Sequence, residues 1–244
     1  MNLNTKIAGT KTKADWLNLR VHLRENLENV NNVYWQQAFN DYFRNSLRTK
    51  YLNPLRSIIN SNIKLGEGFI ITTIQCVLIE FLASFREGKY VNGGFRLSME
   101  DEDFYNHHSQ NQIVNRQDTS RNLVVDFLNS QHPFSLYFNH QINNMNNDNY
   151  TLAELFYDNY RNYLIHLADT NNNCKIRAVY NRNINVIIRR RNNHETVYYR
   201  NAMQTAINTY LYNYYNEIVN APTIELRLNF LLKMDDLCQT HNDI

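Results

Sequence analysis

The chain has 244 residues, 43% of them hydrophobic and 20% charged, with a formal net charge of +2. That is enough apolar material for a substantial core, and a charge balance that neither demands nor excludes a nucleic-acid partner, because local patches matter more than the total. Six Gly and three Pro are too few for an all-β sandwich or a Rossmann domain, so composition favours helices joined by Asn- and Asp-rich turns.

Met1 to Lys6 lacks the apolar stretch of a signal peptide. Lys13 to Leu27 reads as a first helix with Trp16, Leu17, Leu23 and Leu27 apolar. Asn31 or Asn32 caps a second, Val33 to Lys50, which carries Trp35, Phe39, Phe43 and Leu47 and stops at Pro54. Leu55 to Ile63 is short and ambiguous.

Glu67 to Glu87 reads as a long core helix ended by Gly88. Its apolar run, Phe69 to Phe85, is broken by Thr72, Thr73, Gln75 and Glu80, which makes it too polar and short for a membrane span. Tyr90 to Asn115 shows no sustained period and reads as a long mobile or functional excursion. Within it, His107-His108 sits near acidic residues, but adjacent histidines do not readily chelate one ion, so no metal is expected there.

Ser120 caps a helix from Arg121 to Asn129, Pro133 ends that region, and 143–149 is an Asn-rich loop. Thr151, with Glu154 three residues later, forms a capping box for a helix running to about Ala168. Lys175 to Tyr180 and Ile184 to Arg189 read as a β-hairpin around Asn181-Arg182-Asn183. His194 or Glu195 opens a second long core helix to about Val219, with Met203, Ile207, Leu211 and Tyr214 on one face. Thr223 caps a final helix to Cys238. Cys76, Cys174 and Cys238 are odd in number and far apart, which suits neither a disulfide framework nor a metal site and points to a reduced, cytoplasmic protein.

The chemistry-bearing stretch is Arg161-Asn162-Tyr163-Leu164-Ile165-His166. Arg can grip a phosphate through its planar fork of donors, and His can move a proton near neutral pH. At about 100° per residue, Leu152, Phe156, Tyr160, Tyr163, Leu164 and Leu167 share a core face, while Asp158, Asn162, His166 and Asp169 share the opposite one. Leu155 and Ile165 also fall on that polar face, which implies a covering surface from another segment or a second copy of the chain. Arg161 and His166 diverge by about 140°, so two copies around a twofold axis would more easily bring both groups to one phosphate.

Arg161-Asn162-x3-His166 on this helix resembles the R-x4-6-H signature of the HEPN superfamily, in which a polar residue commonly follows the Arg. The resemblance covers roughly residues 67–220, and the long helices at 67–87 and 195–219 fit the family's bundle. It implies a dimeric, metal-independent endoribonuclease in which the RNA 2′-hydroxyl attacks its own phosphodiester. In that case His166 is the acid/base group, Arg161 the phosphate clamp and Asn162 an orienting residue. Such proteins recur in toxin–antitoxin and anti-phage systems, so an antitoxin or defence-system partner fits. Other members are catalytically silent RNA-binding or interaction modules.

Two more features bear on that reading. Glu80 interrupts an apolar helix; it either pairs with Arg161 or the cleft, or sits at the helix edge and reaches water. Arg189, Arg190 and Arg191, with Arg177, Arg182 and Arg200 and beside Tyr198-Tyr199, form either an RNA-backbone track with stacking platforms or a solvated hairpin tip. The expectation is a mainly α fold, a helical bundle with a small β-hairpin after the motif helix. It is one HEPN-like domain over 1–244, with an N-terminal helical extension over 1–64. The expected partners are RNA and a second copy, with no cofactor and no membrane.

Overall fold

The computed structural model describes residues 3–61, 66–95, 97–110, 112–142, 150–179, 186–191 and 195–238. It is mainly α, a helical bundle with small strand elements. An antiparallel ladder that the sequence did not suggest, β1 (Lys6–Ala8) with β2 (Lys11–Thr12), leads directly into α1 (Lys13–Glu25). Thr12 makes the junction. Its hydroxyl accepts from the Asp15 N–H at 3.3 Å, and the Asp15 carboxylate takes the Thr12 N–H at 2.8 Å, a reciprocal cap.

The next helical stretch is longer than expected. Short helices α2 (Val33–Gln37), α3 (Asn45–Leu47) and α4 (Asn53–Asn60) are joined by π turns over Ala38–Arg44 and Arg48–Leu52. Pro54 does not end it. The proline lies in the first turn of α4, directly after a widened turn, where the regular ladder is already interrupted and a missing N–H leaves little unmade.

Helix α5 (Glu67–Glu87) is as long as its pattern suggested. By length and composition it could cross a membrane, with a mean hydropathy of 1.8, although half of that stretch is buried inside the protein. The run Phe69 to Phe85 reads in sequence as too polar and short to span, because Thr72, Thr73, Gln75 and Glu80 interrupt it. Gly88 ends the helix with φ at +60°. The 90–115 excursion is more regular than its sequence implied. It holds α6 (Met99–His108), capped by Ser98, and a 3-10 turn at Ile113–Asn115. The helices α7 (Ser120–Ser130), α8 (Ser135–Phe138) and α9 (Leu152–Phe156) follow, and the Asn-rich loop at 143–149 lies outside the described residues.

A third π turn, Tyr157–Arg161, joins α9 to α10 (Asn162–Leu167). Three strands come next, β3 (Cys174–Arg177), β4 (Ile188–Arg190) and β5 (Thr196–Tyr199), and then α11 (Arg200–Val219) and α12 (Ile224–Cys238). The expected hairpin between β3 and β4 does not form. Instead β5 lies between them, parallel to β3 and antiparallel to β4, and the supposed turn at 181–183 lies outside the described residues. The long helix therefore starts at Arg200, not near 195. All four residues of β5 are buried, and a short, continuously apolar run of this kind cannot be told from helix by periodicity.

The chain divides into two compact units, and α5 and α11 contribute residues to both. The first comprises Met1–Pro54, Ser84–Thr119 and Asn213–Ile244. Its centre is a buried network. Asp235 accepts from Trp16 Nε1 at 2.6 Å, Tyr105 Oη at 2.8 Å, Arg24 Nη2 at 3.1 Å and Arg20 Nη1 at 3.3 Å. The same two arginines bond Asp101 at 2.8 and 2.7 Å, and this ties α6 to α1 and α12. Buried Arg227 has another solution. It donates to the Ile218 carbonyl at 2.8 Å near the end of α11, and to Asn26 and Leu27 carbonyls just after α1. The partial negative charge at those helix ends suits the cation, while burial pushes its guanidinium down to about 10.

Burial by itself would raise the Asp101 carboxyl, but the bonds and charges of Arg20 and Arg24 outweigh it and hold it below 3.8. The unfolded chain then binds more protons than the folded one across that interval. The stability Asp101 contributes is present above pH 3.8 and is lost as pH falls through the lower folded value. Urea unfolding between about pH 5 and 2 is expected to show a shallower acid loss in Asp101→Asn than in wild type; parallel curves would contradict this. Gly88→Ala is expected to destabilise by about 2–4 kcal/mol. A Cβ there would strike Asn229 Oδ1 and come within 2.5 Å of Arg116 Nη1, besides the left-handed backbone. Chemical denaturation reads the difference.

Candidate functional site

The second unit comprises Leu55–Ala83 and Ser120–Tyr212 and holds the motif helix. Thr151 and Glu154 form the expected capping box. The first half of the helix is buried nearly all round, with Leu152, Ala153, Leu155, Phe156 and Tyr157 inside. Tyr160 anchors the helix to the sheet, donating to the Thr196 carbonyl at 2.8 Å and the Lys175 carbonyl at 3.3 Å. Its ring packs in a cluster with Phe156 and Tyr198. Gln75 of α5 accepts from the Tyr198 hydroxyl at 2.8 Å and donates to the Arg200 carbonyl at 2.9 Å.

The π turn changes the helical wheel. The Asn162 N–H bonds the Tyr157 carbonyl, one residue further back than in an α-helix. Asn162 therefore no longer stacks on Asp158, and the four-residue polar ladder expected from regular spacing is broken there. Asp158 is engaged elsewhere, by Arg121 Nε at 3.1 Å and the Tyr150 hydroxyl at 2.8 Å. It supports the helix rather than the motif. Leu155 is covered within this unit, whereas Ile165 is 38% exposed. Leu167, expected in the core, is 65% exposed, because the helix ends there and Ala168 turns the chain at φ +53°.

Arg161 is firmly held. Its Nη2 donates to Glu80 at 2.7 Å, its Nη1 to Asn162 Oδ1 at 3.2 Å, and its guanidinium lies 5.1 Å from the centre of the Tyr157 ring. Glu80 therefore pairs with Arg161, and the Ser120 hydroxyl adds a bond to the same carboxylate at 2.9 Å. Cys76 is fully buried close by. Burial pushes its thiol up to about 12 despite the positive charge of Arg161, so it is no nucleophile at neutral pH. His166 is exposed and makes no hydrogen bond or ion pair among the described residues. On the regular turn of α10 it still diverges from Arg161 by about 140°.

The structure removes Arg200 and both tyrosines from the proposed RNA track, while Arg177 on β3 and Arg189 on β4 stay exposed. Arg200 is buried and paired with Glu67. Arg191 pairs with Glu195 at 3.0 Å. Arg189 and Arg190 lie on β4, Arg189 exposed and Arg190 half-buried. Tyr198 and Tyr199 are buried, so neither offers a ring to a base; the strand period that hides them was invisible in a run read as helix. Arg182 lies outside the described residues. His108 ends α6, with Nδ1 2.8 Å from the Phe104 carbonyl, and no group of three His, Cys, Asp or Glu among the described residues could hold a metal.

Ser120 and Tyr157, which complete the Arg161 setting, were not singled out from sequence. Ser120 read only as a cap, although Tyr157, four residues before Arg161, is the arginine's neighbour on a regular wheel. Comparison with known protein families, curated proteins and solved structures finds no match.

The Glu80–Arg161 pair is only partly solvated, at 26% and 15% side-chain exposure. A double-mutant cycle with Glu80→Gln and Arg161→Gln is expected to give a coupling of about 1 kcal/mol in denaturant unfolding. A coupling of zero would mean that the pair contributes nothing in solution.

Proposed function

We propose that this chain is a HEPN-like, metal-independent endoribonuclease that acts in the cytoplasm as a homodimer. The observation that carries the reading is the state of His166, an exposed imidazole without a protein partner among the described residues, five residues after a fixed arginine. A proton-transfer group must be reachable by the substrate, and a phosphate clamp must be held still. Glu80 and Asn162 occupy two of the five N–H donors of Arg161 and leave the rest for phosphate oxygens. The exposed Ile165 and Leu167 flank His166 and supply an apolar rim for the second copy.

In the proposed reaction, an imidazole takes the proton of the RNA 2′-hydroxyl as its oxygen attacks phosphorus. Arg161 stabilises the charge on the phosphate oxygens. The bond from phosphorus to the 5′ oxygen breaks, and that oxygen takes a proton from the second copy's imidazolium. The products are a 2′,3′-cyclic phosphate and a 5′-hydroxyl. A toxin or anti-phage effector, restrained by an antitoxin or defence-system partner, is the role such chemistry suits.

A second reading, a silent RNA-binding or interaction module, is favoured by the limited 15% exposure of the Arg161 side chain against Glu80. RNA cleavage in EDTA separates the two. Wild type is expected to yield cyclic-phosphate ends, with His166→Ala slower by about 100-fold or more. Equal rates, or a requirement for added metal, would reject the nuclease mechanism. RNA binding without cleavage would support the silent module.

A further inference from the structure

Away from the motif helix, the β1–β2 ladder and the helical stretch after α2 line a pocket of about 440 Å³. All of its lining residues belong to the first unit. Three are cations, Lys11, Arg44 and Arg48, against a single carboxylate, Asp41. Lys11 Nζ lies 3.6 Å from Asp41 and 5.9 Å from the centre of the Tyr42 ring. Arg44 and Arg48 are exposed, and among the described residues no carboxylate pairs with either. Like charges four residues apart along a helix repel, so this arrangement is a liability that a bound polyanion would relieve.

The walls are set by the fold. Gly9 has φ at +59° and lies so close to the helix that a Cβ would come within 2.7 Å of Asn45 Nδ2. The ladder carrying Lys11 is thereby seated against the helix carrying both arginines. Asn40 and Asn45 add amide donors to the lining.

We propose that this pocket binds an oligophosphate group, meaning two or more linked phosphates. Its size is ordinary for a ligand site, but among the described residues Ala8 is the sole apolar lining residue, where small-molecule pockets are mostly apolar. Among the described residues the lining includes no aromatic ring on which a base could stack, so phosphate is recognised and the base is not. A single phosphate has the bulk of a few waters, each about 30 Å³, and would leave most of the space empty. A free nucleoside triphosphate and the 5′-triphosphate end of an RNA carry this same group.

Calorimetric titration of the full chain with inorganic tripolyphosphate tests the assignment. Saturable binding is expected, weakened about tenfold or more in Arg44→Gln/Arg48→Gln and unchanged in His166→Ala. Circular dichroism checks the fold of the double variant, and Lys11→Gln alone, expected to weaken binding less, serves if it fails to fold. Competition by ATP assigns a free nucleotide, and competition by a 5′-triphosphate oligonucleotide assigns an RNA end. The proposal is overturned by absent tripolyphosphate binding, by wild-type binding in the Arg44→Gln/Arg48→Gln and Lys11→Gln variants, by failure of both competitors, or by equal competition from a 5′-hydroxyl oligonucleotide.

Discussion

A charged side chain taken out of water must find partners, and much of this structure follows from that requirement. Asp235 cannot be buried in α12 without donors. It receives them from α1, through Trp16, Arg20 and Arg24, and from α6, through Tyr105. Breaking such a set leaves an uncompensated charge and costs far more than an exposed pair would. The requirement therefore constrains how these three helices pack, because Arg20 and Arg24 each bond both Asp235 and Asp101. Arg227 meets the same requirement with helix-end carbonyls instead of carboxylates. Arg116 does so with Asn229 at 2.6 Å and Glu225 at 2.9 Å.

The same rule sorts the arginines that sequence alone leaves equivalent. Arg200 is buried against Glu67 and belongs to the scaffold. Arg161 is intermediate, held by Glu80 and Asn162 with part of its fork unspent, which suits a group that must be oriented before substrate arrives. Arg44 and Arg48 are exposed beside a polar pocket. Both proposed sites thus depend on charges that the fold leaves half-satisfied or unsatisfied.

Three π turns shape the two regions of functional interest. Those at Ala38–Arg44 and Arg48–Leu52 bracket the arginines of the pocket, and that at Tyr157–Arg161 precedes the motif. Each shifts the helical register by one residue, and such turns often accompany function because they re-aim side chains that a regular helix would misplace. In the motif helix the shift separates Asp158 from Asn162, while Arg161 lies over Tyr157, four residues earlier.

Local chemistry made some features legible in the sequence. The caps at Thr151 and Thr223 and the left-handed Gly88 depend on neighbours within a few residues, and each appears in the structure where its residue type predicts. The mainly α class followed from composition, and the core face of α11 from periodicity. The pairing of Glu80 with Arg161 was one of two alternatives that burial energetics had framed. Other features depended on groups far apart in the chain. The order β3-β5-β4 was hidden because β5 is buried on both faces and shows no alternation. The role of the 90–115 segment was hidden because α6 is secured by partners on α1 and α12. Residue type and spacing determined which groups are available and which local turns form. Only the tertiary structure decided which charges are consumed and which stay free, because desolvation is set by everything that packs around a side chain and not by its neighbours in sequence.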